Sequence, residues 1–307
     1  MRSRAAGLLA GYAADRLLGD PRRYHPVAGF GAVARALERR DYGDSRARGA
    51  AHVVCLVGGA TLVGTAAERF ASRPLAHAAL TAAATWAVLG GRSLRREAEE
   101  VHRCLASGDL RGAREQLTHL VGRDTSELDP AGVARAVVES VAENTSDAVV
   151  APLFWGAVAG VPGLLGYRAA NTLDAMVGHH NPRYERFGWA GARLDDIANL
   201  PGSRLTGLLT LLVDPGHARE ARRVWRRDAS RHPSPNAGVV EAAFAGALGI
   251  HLGGTNRYGN RIEHRAVMGD GRAAQPYDVL RATRLAARVS LAAVAVCAGV
   301  TSVRRRP

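Results

Sequence analysis

Three carboxylates spaced four residues apart lead directly into a long apolar stretch. Glu139, Glu143 and Asp147 stand in "VESVAENTSDAVVAPLFW", and on a helix this spacing places them on one face. Like charges at that spacing repel one another unless an arginine or a metal ion lies beside them. Polar groups at membrane depth usually face a functional cavity. We therefore predict that Glu143, Asn144 and Asp147 line a site, and we interpret Glu139 as part of a solvated helix face.

A second concentration of polar residues lies in "YRAANTLDAMVGHHNPRYERFGWAGARLDDIANLPGSR". Two adjacent acids cannot share a helix face, but one can bind Mg²⁺ while its neighbour pairs with an arginine, because Mg²⁺ needs only one or two carboxylates plus substrate phosphate oxygens. His179 and His180 lack a third ligand at a recognisable spacing, which favours ordinary loop histidines. The candidate residues of this stretch are Asn171, Asp174, Arg193, Asp195, Asp196, Asn199 and Arg204.

The third polar stretch precedes a helix of small residues. Asp228, His232, Ser234 and Asn236 lead through two prolines into that helix, which carries Glu241. Ser234 or Asn236 would cap it, and its first amides would then attract an anion. Capping alone leaves Asp228, His232 and Glu241 unexplained, so all five are candidate site residues.

A fourth stretch, "LLGDPRRYHPVAGFG", contains two further candidates. Asp20 and His25 each precede a proline, which predicts a rigid loop. The Gly29–Gly31 pair matches part of a dinucleotide fingerprint, but no strand precedes it and the match carries little weight.

Composition excludes several classes of chemistry. The chain has 307 residues and a net charge of +13, and all of its 41 Lys and Arg residues are arginine. Without lysine, a Walker A loop and a Schiff base are impossible. Arginine, backbone amides or a metal must therefore handle any phosphate. Three distant cysteines with no CxxC make a zinc or disulfide framework improbable.

Several apolar windows approach the length that crosses a bilayer. A helix ending at Gly19 precedes them, a polar helical hairpin fills 92–135, and we find no alternating strand pattern. The arginines flank the windows, which is typical of membrane segments. We predict one all-α polytopic membrane domain over 1–307 with about four to six membrane helices. The mean hydropathy of −0.09 leaves a soluble helical core open as the alternative. The windows are Ala50–Ala67, Pro74–Gly91, Ala148–Tyr167, Ala237–Gly254 and Leu285–Ser302, with the shorter Leu205–Val213.

Five motifs, in order, resemble the CobD/CbiB family of cobalamin-biosynthesis membrane proteins over nearly the whole chain. They are "GDP…HP" (19–26), "ENTSD…APLFW" (143–155), "NTLDAMVG" (171–178), "FGWAGARLDDIAN" (187–199) and "HPSPNAG…EAAFAGALG" (232–249). Two small departures, Ala148 and "LPGSR" (200–204), remove no reactive group.

The resemblance implies an ATP-dependent ligase of the cell membrane. It would join a propionate of (adenosyl)cobyric acid to aminopropanol or aminopropanol O-phosphate, giving (adenosyl)cobinamide or its phosphate. Corrinoid, amino alcohol and membrane lipid are then the partners, with possible association with other enzymes of the corrin pathway.

Within that reaction we assign roles as hypotheses. Mg²⁺ goes to Asp195 and Asp196, completed by Asp147 or Glu143. Arg193 and Arg204 hold phosphate, and His232 is the base for the incoming ammonium. Asp228, Glu143 and Asp174 are the other catalytic candidates. The remaining substrate-binding candidates are Asp20, His25, Asn144, Asn171, Asn199, Ser234, Asn236 and Glu241.

Three other functions compete with the ligase. A non-catalytic membrane sensor of the same superfamily would keep the helical frame but need not keep "LDD" together with "HPSPN". A transporter predicts repeated halves, and the sequence has none. A nucleic-acid binder predicts a recognised module and exposed aromatics, whereas aromatic residues are 5% of this chain.

Overall fold

The computed structural model describes residues 2–20, 25–179, 181–258 and 261–303, with side chains described outside 256–262 and 303. Within these ranges the chain is mainly helical, which confirms the predicted all-α class, although a small sheet is present. The helices are α1 (Arg2–Leu18), α2 (Pro26–Asp41), α3 (Arg46–Phe70), α4 (Pro74–Val88), α5 (Gly91–Ala106), α6 (Leu110–Leu117), α7 (Pro130–Thr145), α8 (Ala151–Val177), α9 (Trp189–Val213), α10 (Ala218–Asp228), α11 (Ala237–Leu248) and α12 (Pro276–Val303).

Two compact units are formed from interleaved segments. Unit 1 contains Met1–Gly90, Asp147–Gly202 and Val294–Pro307, and unit 2 contains Gly91–Ser146 and Ser203–Ala293. The polar hairpin predicted for 92–135 corresponds to α5 and α6, which pack on each other in unit 2.

Three helical stretches are long and apolar enough to cross a membrane among the described residues. They are Arg46–Phe70, Pro130–Val177 and Pro276–Ser302. The window Ala237–Gly254 is not one continuous helix, so that expectation is wrong. Gly249 takes a left-handed conformation (φ 65°) that ends α11 after 12 residues, and a strand follows. Glycine allows this stop without a steric cost.

Close contact between α1 and α4 organises part of unit 1. A β-carbon added at Gly7 would lie 2.5 Å from Thr81 Cβ, and one at Gly11 would lie 2.4 Å from Thr85 Cβ. Both threonines are fully buried. Small residues one turn apart let two helix backbones approach closely, as they do in membrane proteins. The predicted stop of α1 is confirmed, because α1 ends at Leu18 and Gly19 has a φ of 68°.

Helix α8 is broken where its sequence reads "AGVPG". Gly160 has a φ of 72°, and Pro162 lacks a backbone donor. The amide of Val161 donates to Glu68 Oε1 at 3.0 Å, and Arg4 lies 3.5 Å from the same oxygen. The buried amide of Val161 at the break is therefore satisfied by a side chain of α3.

In unit 2, side chains of helix α7 form hydrogen bonds with the backbone of the irregular first strand of the sheet. Strands β1 (Ile250–Tyr258) and β2 (Arg261–Met268) are antiparallel, and β3 (Arg272–Ala273) runs parallel to β1, in the order β2-β1-β3. The register shifts between Leu252 and Gly254. There Glu139 Oε1 accepts the amide of Gly253 at 2.8 Å, and Arg135 donates to the carbonyls of Gly253 and Thr255.

Glu139 is therefore a buried structural acid. Its exposure is 4%, and Arg123 Nη2 donates to its Oε2 at 2.6 Å. Our interpretation of Glu139 as a solvated residue is wrong. A sequence pattern cannot reveal that Arg123, sixteen residues upstream, and the bulge of β1 both need this carboxylate.

The packing of α1 on α4 predicts a strong effect of bulk at Gly11. Gly11→Leu should lower the unfolding free energy by about 3 kcal/mol or more, since the added side chain would overlap Thr85 and the carbonyl of Ala82. Gly58→Leu in α3 is the matched control, because no atom lies within 4 Å of a β-carbon there. Thermal unfolding in detergent measures both, and equal melting temperatures would contradict the packing described.

Candidate functional site

Two carboxylates of unit 1 are oriented by asparagine amides. Asn199 Nδ2 donates to Asp147 Oδ1, and Asn171 Nδ2 donates to Asp195 Oδ1 at 3.2 Å. Asp147 lies in a π-helical turn, Ser146–Val150, between α7 and α8, and Asp195 lies on α9. An amide donor fixes the direction in which a carboxylate presents its other lone pairs. Four of the predicted site residues thus form two matched pairs.

Arg168 extends this arrangement from within α8. Its Nη1 donates to Asn171 Oδ1 at 3.0 Å, which completes a chain of bonds from Arg168 through Asn171 to Asp195. Its Nη2 donates to the carbonyls of Val88 and Ala148. The carboxylates of Asp147, Asp20 and Asp195 all act electrostatically on the guanidinium. A partly buried cation is thus matched by nearby acids and polar acceptors.

Tyr167 is buried beside the same carboxylates. Its exposure is 4%, and its hydroxyl has no hydrogen-bond partner within the described parts of the chain. Asp147, Asp195 and Asp174 act on it electrostatically. Neither Tyr167 nor Arg168 is among the site residues predicted from the sequence. A polar pair inside an apolar helix, three and four residues before Asn171, is the signal that could have revealed them.

Asp196 has a different environment from its neighbour Asp195. It lies 3.7 Å from Arg193, one turn earlier on α9. Partial burial raises the pKa of Asp196, and Arg193 offsets part of that rise. The alternation expected for adjacent acids is therefore present: one joins the asparagine-bonded pair and the other faces an arginine.

The loop before α2 brings Asp20 and His25 together. His25 Nε2 lies 3.6 Å from Asp20 Oδ1, and His25 Nδ1 accepts the amide of Val27 at 3.1 Å. His25 thereby caps α2, whose first residue is Pro26. Pro21 of this motif, His180 of the histidine pair and the arginines at 304–306 lie outside the described residues.

An apolar cavity of about 450 Å³ adjoins Arg168. Its described walls come from α2, α3, α4 and α8, and Arg168 is the only charged residue among the described residues that line it. This volume falls within the range typical of small-molecule pockets. The residues that line it include Pro26, Phe30, Leu56, Val88 and Leu165.

The donor set fits a divalent cation only in part. No group of three or more His, Cys, Asp or Glu side chains that could hold a metal occurs in the part of the chain that the structure describes. Asp147 and Asp195 nevertheless supply two oriented carboxylates, and Mg²⁺ takes its remaining ligands from substrate phosphates and water. These two residues, more than Asp196, match that chemistry.

Unit 2 contains a second polar cluster around Glu241 on α11. Glu241 is 1% exposed, and both of its oxygens have no hydrogen-bond partner within the described residues. Burial, together with the nearby carboxylates of Glu139 and Glu143, raises the pKa of Glu241 well above its ordinary value. A carboxyl group in this setting is a candidate general base, because a raised pKa means a stronger affinity for a proton.

His232 faces Glu241 with its Nε2, at 3.8 Å from Glu241 Oε1. His232 Nδ1 lies 3.0 Å from the amide and 3.3 Å from the carbonyl of Ser234, and Arg265 Nη1 lies 3.4 Å from Nε2, so a neutral ring that accepts from Arg265 at Nε2 carries its proton on Nδ1. Burial and then Arg265 lower the pKa of His232, which favours that neutral ring. The opposite pKa shifts of the two groups, raised for Glu241 and lowered for His232, favour Glu241 over His232 as the base.

The predicted cap of α11 is confirmed for Ser234. Its hydroxyl accepts the amides of Asn236 and Ala237 at 3.3 and 3.2 Å. The side chain of Asn236 instead accepts from Ser203 at 2.8 Å and from Arg204 at 2.9 Å. Arg204 is thus held against Asn236 in unit 2.

Asp228 has the contacts of a structural anchor. Both of its oxygens bond Arg227 at 2.7 Å, and Oδ2 also accepts the amide of Gly269 at 2.9 Å. The bonds from Arg227 lower the pKa of Asp228. Asn144 bonds Ser140 within α7. The bonds of Asp228 thus join α10 to the backbone at Gly269, and the roles predicted for Asp228 and Asn144 stay predictions.

The raised pKa of Glu241 predicts a pH-dependent stability. The folded state holds the Glu241 proton more tightly than the unfolded state, so the wild type loses stability as pH rises above the ordinary value of 4.5. Glu241→Gln removes this loss. The variant should therefore gain in melting temperature relative to wild type between pH 5 and pH 8.

Glu139→Gln is the contrasting control. It breaks the pair with Arg123 and should cost about 3–5 kcal/mol at pH 5, since a buried cation is left uncompensated, and a smaller amount at pH 8, since it also removes a charge that raises the pKa of Glu241. If the melting temperatures of Glu241→Gln and wild type change in parallel between pH 5 and pH 8, Glu241 is ionised throughout that range in the folded protein.

Comparison with known proteins gives one consistent family. The family model described as "CobD/Cbib protein" matches residues 8–286. The chain is 52% identical to "Cobalamin biosynthesis protein CobD" of Mycobacterium tuberculosis, covering 100% of this chain and 98% of the relative. A protein of the same name from Chromobacterium violaceum is 48% identical, covering 89% of this chain and 89% of the relative. Another from Rhodobacter capsulatus is 40% identical, covering 97% of this chain and 98% of the relative. No solved structure matches.

The order of the motifs, the helical class and these similarities agree. The chain belongs to the CobD/CbiB family.

Proposed function

We propose that this protein takes part in cobalamin biosynthesis as a membrane enzyme that forms an amide bond. It joins a propionate of (adenosyl)cobyric acid to aminopropanol or aminopropanol O-phosphate, with ATP as the co-substrate. The observation that carries the proposal is the pair of amide-oriented carboxylates, Asp147 and Asp195, beside partly buried Arg168 in a chain of this family.

The chemistry of the carboxylate explains why phosphate must be handled. A carboxylate is a poor electrophile, because its oxygen is a poor leaving group. Attack of that oxygen on the γ-phosphorus of ATP forms an acyl phosphate and releases ADP. The amine nitrogen then attacks the acyl carbon, and inorganic phosphate leaves. Catalysis of the first step is mainly positioning and charge stabilisation.

The polar cluster of unit 1 suits the phosphoryl step. Asp147 and Asp195 would hold Mg²⁺, which neutralises phosphate charge when bound. Asn199 and Asn171 fix the orientation of these carboxylates, and Arg168 supports Asn171 from the other side. The predicted ligand Asp196 is less suited, because it faces Arg193.

The cluster of unit 2 suits the amine step. An ammonium group must lose a proton before its nitrogen can attack, and the buried carboxylate of Glu241 is the acceptor that we propose. His232 Nε2 lies 3.8 Å from that carboxylate. A raised pKa makes the Glu241 carboxylate a stronger base than an exposed glutamate.

An amide-forming assay tests the proposal. Membranes containing the protein are given adenosylcobyric acid, ATP, Mg²⁺ and either aminopropanol or its phosphate, and mass spectrometry follows the corrinoid. We expect a cobinamide product from wild type. Asp195→Asn should lower its rate by about 100-fold or more, because a neutral amide cannot replace the charged ligand.

Asp196→Asn is the matched control on the adjacent residue. Because Asp196 faces Arg193, this variant should keep most of the activity. A lower rate of cobinamide formation for Asp196→Asn than for Asp195→Asn would contradict our assignment of the cation site. No product with either amine, from folded wild-type protein, would favour the non-catalytic membrane sensor.

A further inference from the structure

Two adjacent side chains of α8 have buried donors without acceptors. The hydroxyl of Tyr167 and the Nε–H of Arg168 each have no hydrogen-bond partner within the described ranges of the chain. Tyr167 as a whole is 4% exposed. An unsatisfied buried donor is a cost to the folded state, and native proteins rarely retain one without a function. Two on consecutive residues indicate an acceptor that the protein chain itself does not provide.

The surroundings of these donors specify the acceptor. Asp147 and Asp195 act electrostatically on both Tyr167 and Arg168, so a bare anion would be repelled by two carboxylates. A divalent cation between the carboxylates and the anion removes that repulsion. Phosphate oxygens combine with Mg²⁺ in this way and also accept hydrogen bonds from phenol and guanidinium groups.

Arg168 also lines space that the rest of such a ligand can occupy. The apolar cavity of about 450 Å³ has Arg168 in its wall. A ligand with a phosphate at one end and an apolar portion at the other could thus use the donors and the cavity together. Both the nucleotide and the phosphorylated amino alcohol contain the phosphate that the donors require.

We propose that Tyr167 is a phosphate-positioning residue. Its hydroxyl, with the Nε–H of Arg168, donates to a phosphate oxygen of a ligand whose cation is held by Asp147 and Asp195. This inference rests on the proposed function, which supplies the phosphate. It adds Tyr167 to the proposed site as an uncharged residue, because a neutral phenol hydroxyl is enough to donate a hydrogen bond to phosphate.

Tyr167→Phe tests the inference because it removes only the hydroxyl. In the full-length protein in detergent, the melting temperature without ligand should stay the same or rise, since no bond within the protein is lost. Calorimetric titration with Mg²⁺ and the β,γ-imido analogue of ATP should show an affinity about tenfold weaker than that of wild type. A second titration uses Mg²⁺ with aminopropanol O-phosphate, and the arm that weakens identifies the source of the phosphate.

Tyr184→Phe is the matched control. Its hydroxyl donates to Glu38 Oε1 at 2.9 Å, so the variant should melt about 2 °C lower and bind both ligands as wild type does. Unchanged affinity of Tyr167→Phe in both titrations would overturn the inference while leaving wild-type binding, and with it the proposed function, in place. A buried water as the partner of Tyr167 would give that result. Absence of binding by wild type in both arms would overturn inference and proposed function together.

Discussion

Burial of charge inside apolar helices is the constraint on which the rest of the structure depends. Arg168 lies in a helix whose sequence is otherwise suited to lipid or to a dry core, and an uncompensated cation there would be too costly to retain. Asn171, the carbonyls of Val88 and Ala148, and the nearby aspartates compensate it. Those same partners place the candidate site, because the asparagine that bonds Arg168 also orients Asp195.

Unit 2 follows the same physical rule with different partners. Glu139 is buried in α7 because Arg123 and the bulge amide of Gly253 satisfy it. Glu241 is buried with no such partners within the described residues, and its raised pKa is the consequence. One acid is thus fixed as a structural anion, whereas the other has a raised affinity for a proton and is the proposed proton acceptor. Neighbouring groups, and not the residue type, decide between these outcomes.

Periodicity and motif order predicted the helical class, the stop of α1 at Gly19 and the grouping of polar residues into motifs. They could not predict contacts that depend on distant segments. Arg123 is sixteen residues from Glu139, and the sheet at 250–273 has glycines and arginines where alternating apolar residues are usual. The apolar window 237–254 concealed a left-handed stop at Gly249. Whether Asp195 or Asp196 lies beside the asparagines depends on the rotation of α9 about its axis. The spacing of residues along the sequence does not determine that rotation.

The most direct test of propionate activation by phosphoryl transfer follows one oxygen atom of that carboxylate. If the propionate is activated by phosphoryl transfer, one oxygen of that carboxylate must leave with the phosphate when the amide forms. The reaction is run with adenosylcobyric acid labelled with ¹⁸O in the reacting carboxylate, and ³¹P NMR or mass spectrometry examines the released phosphate. The account predicts one ¹⁸O atom in inorganic phosphate for each amide formed. Amide formation with no label in that phosphate would contradict the proposed activation.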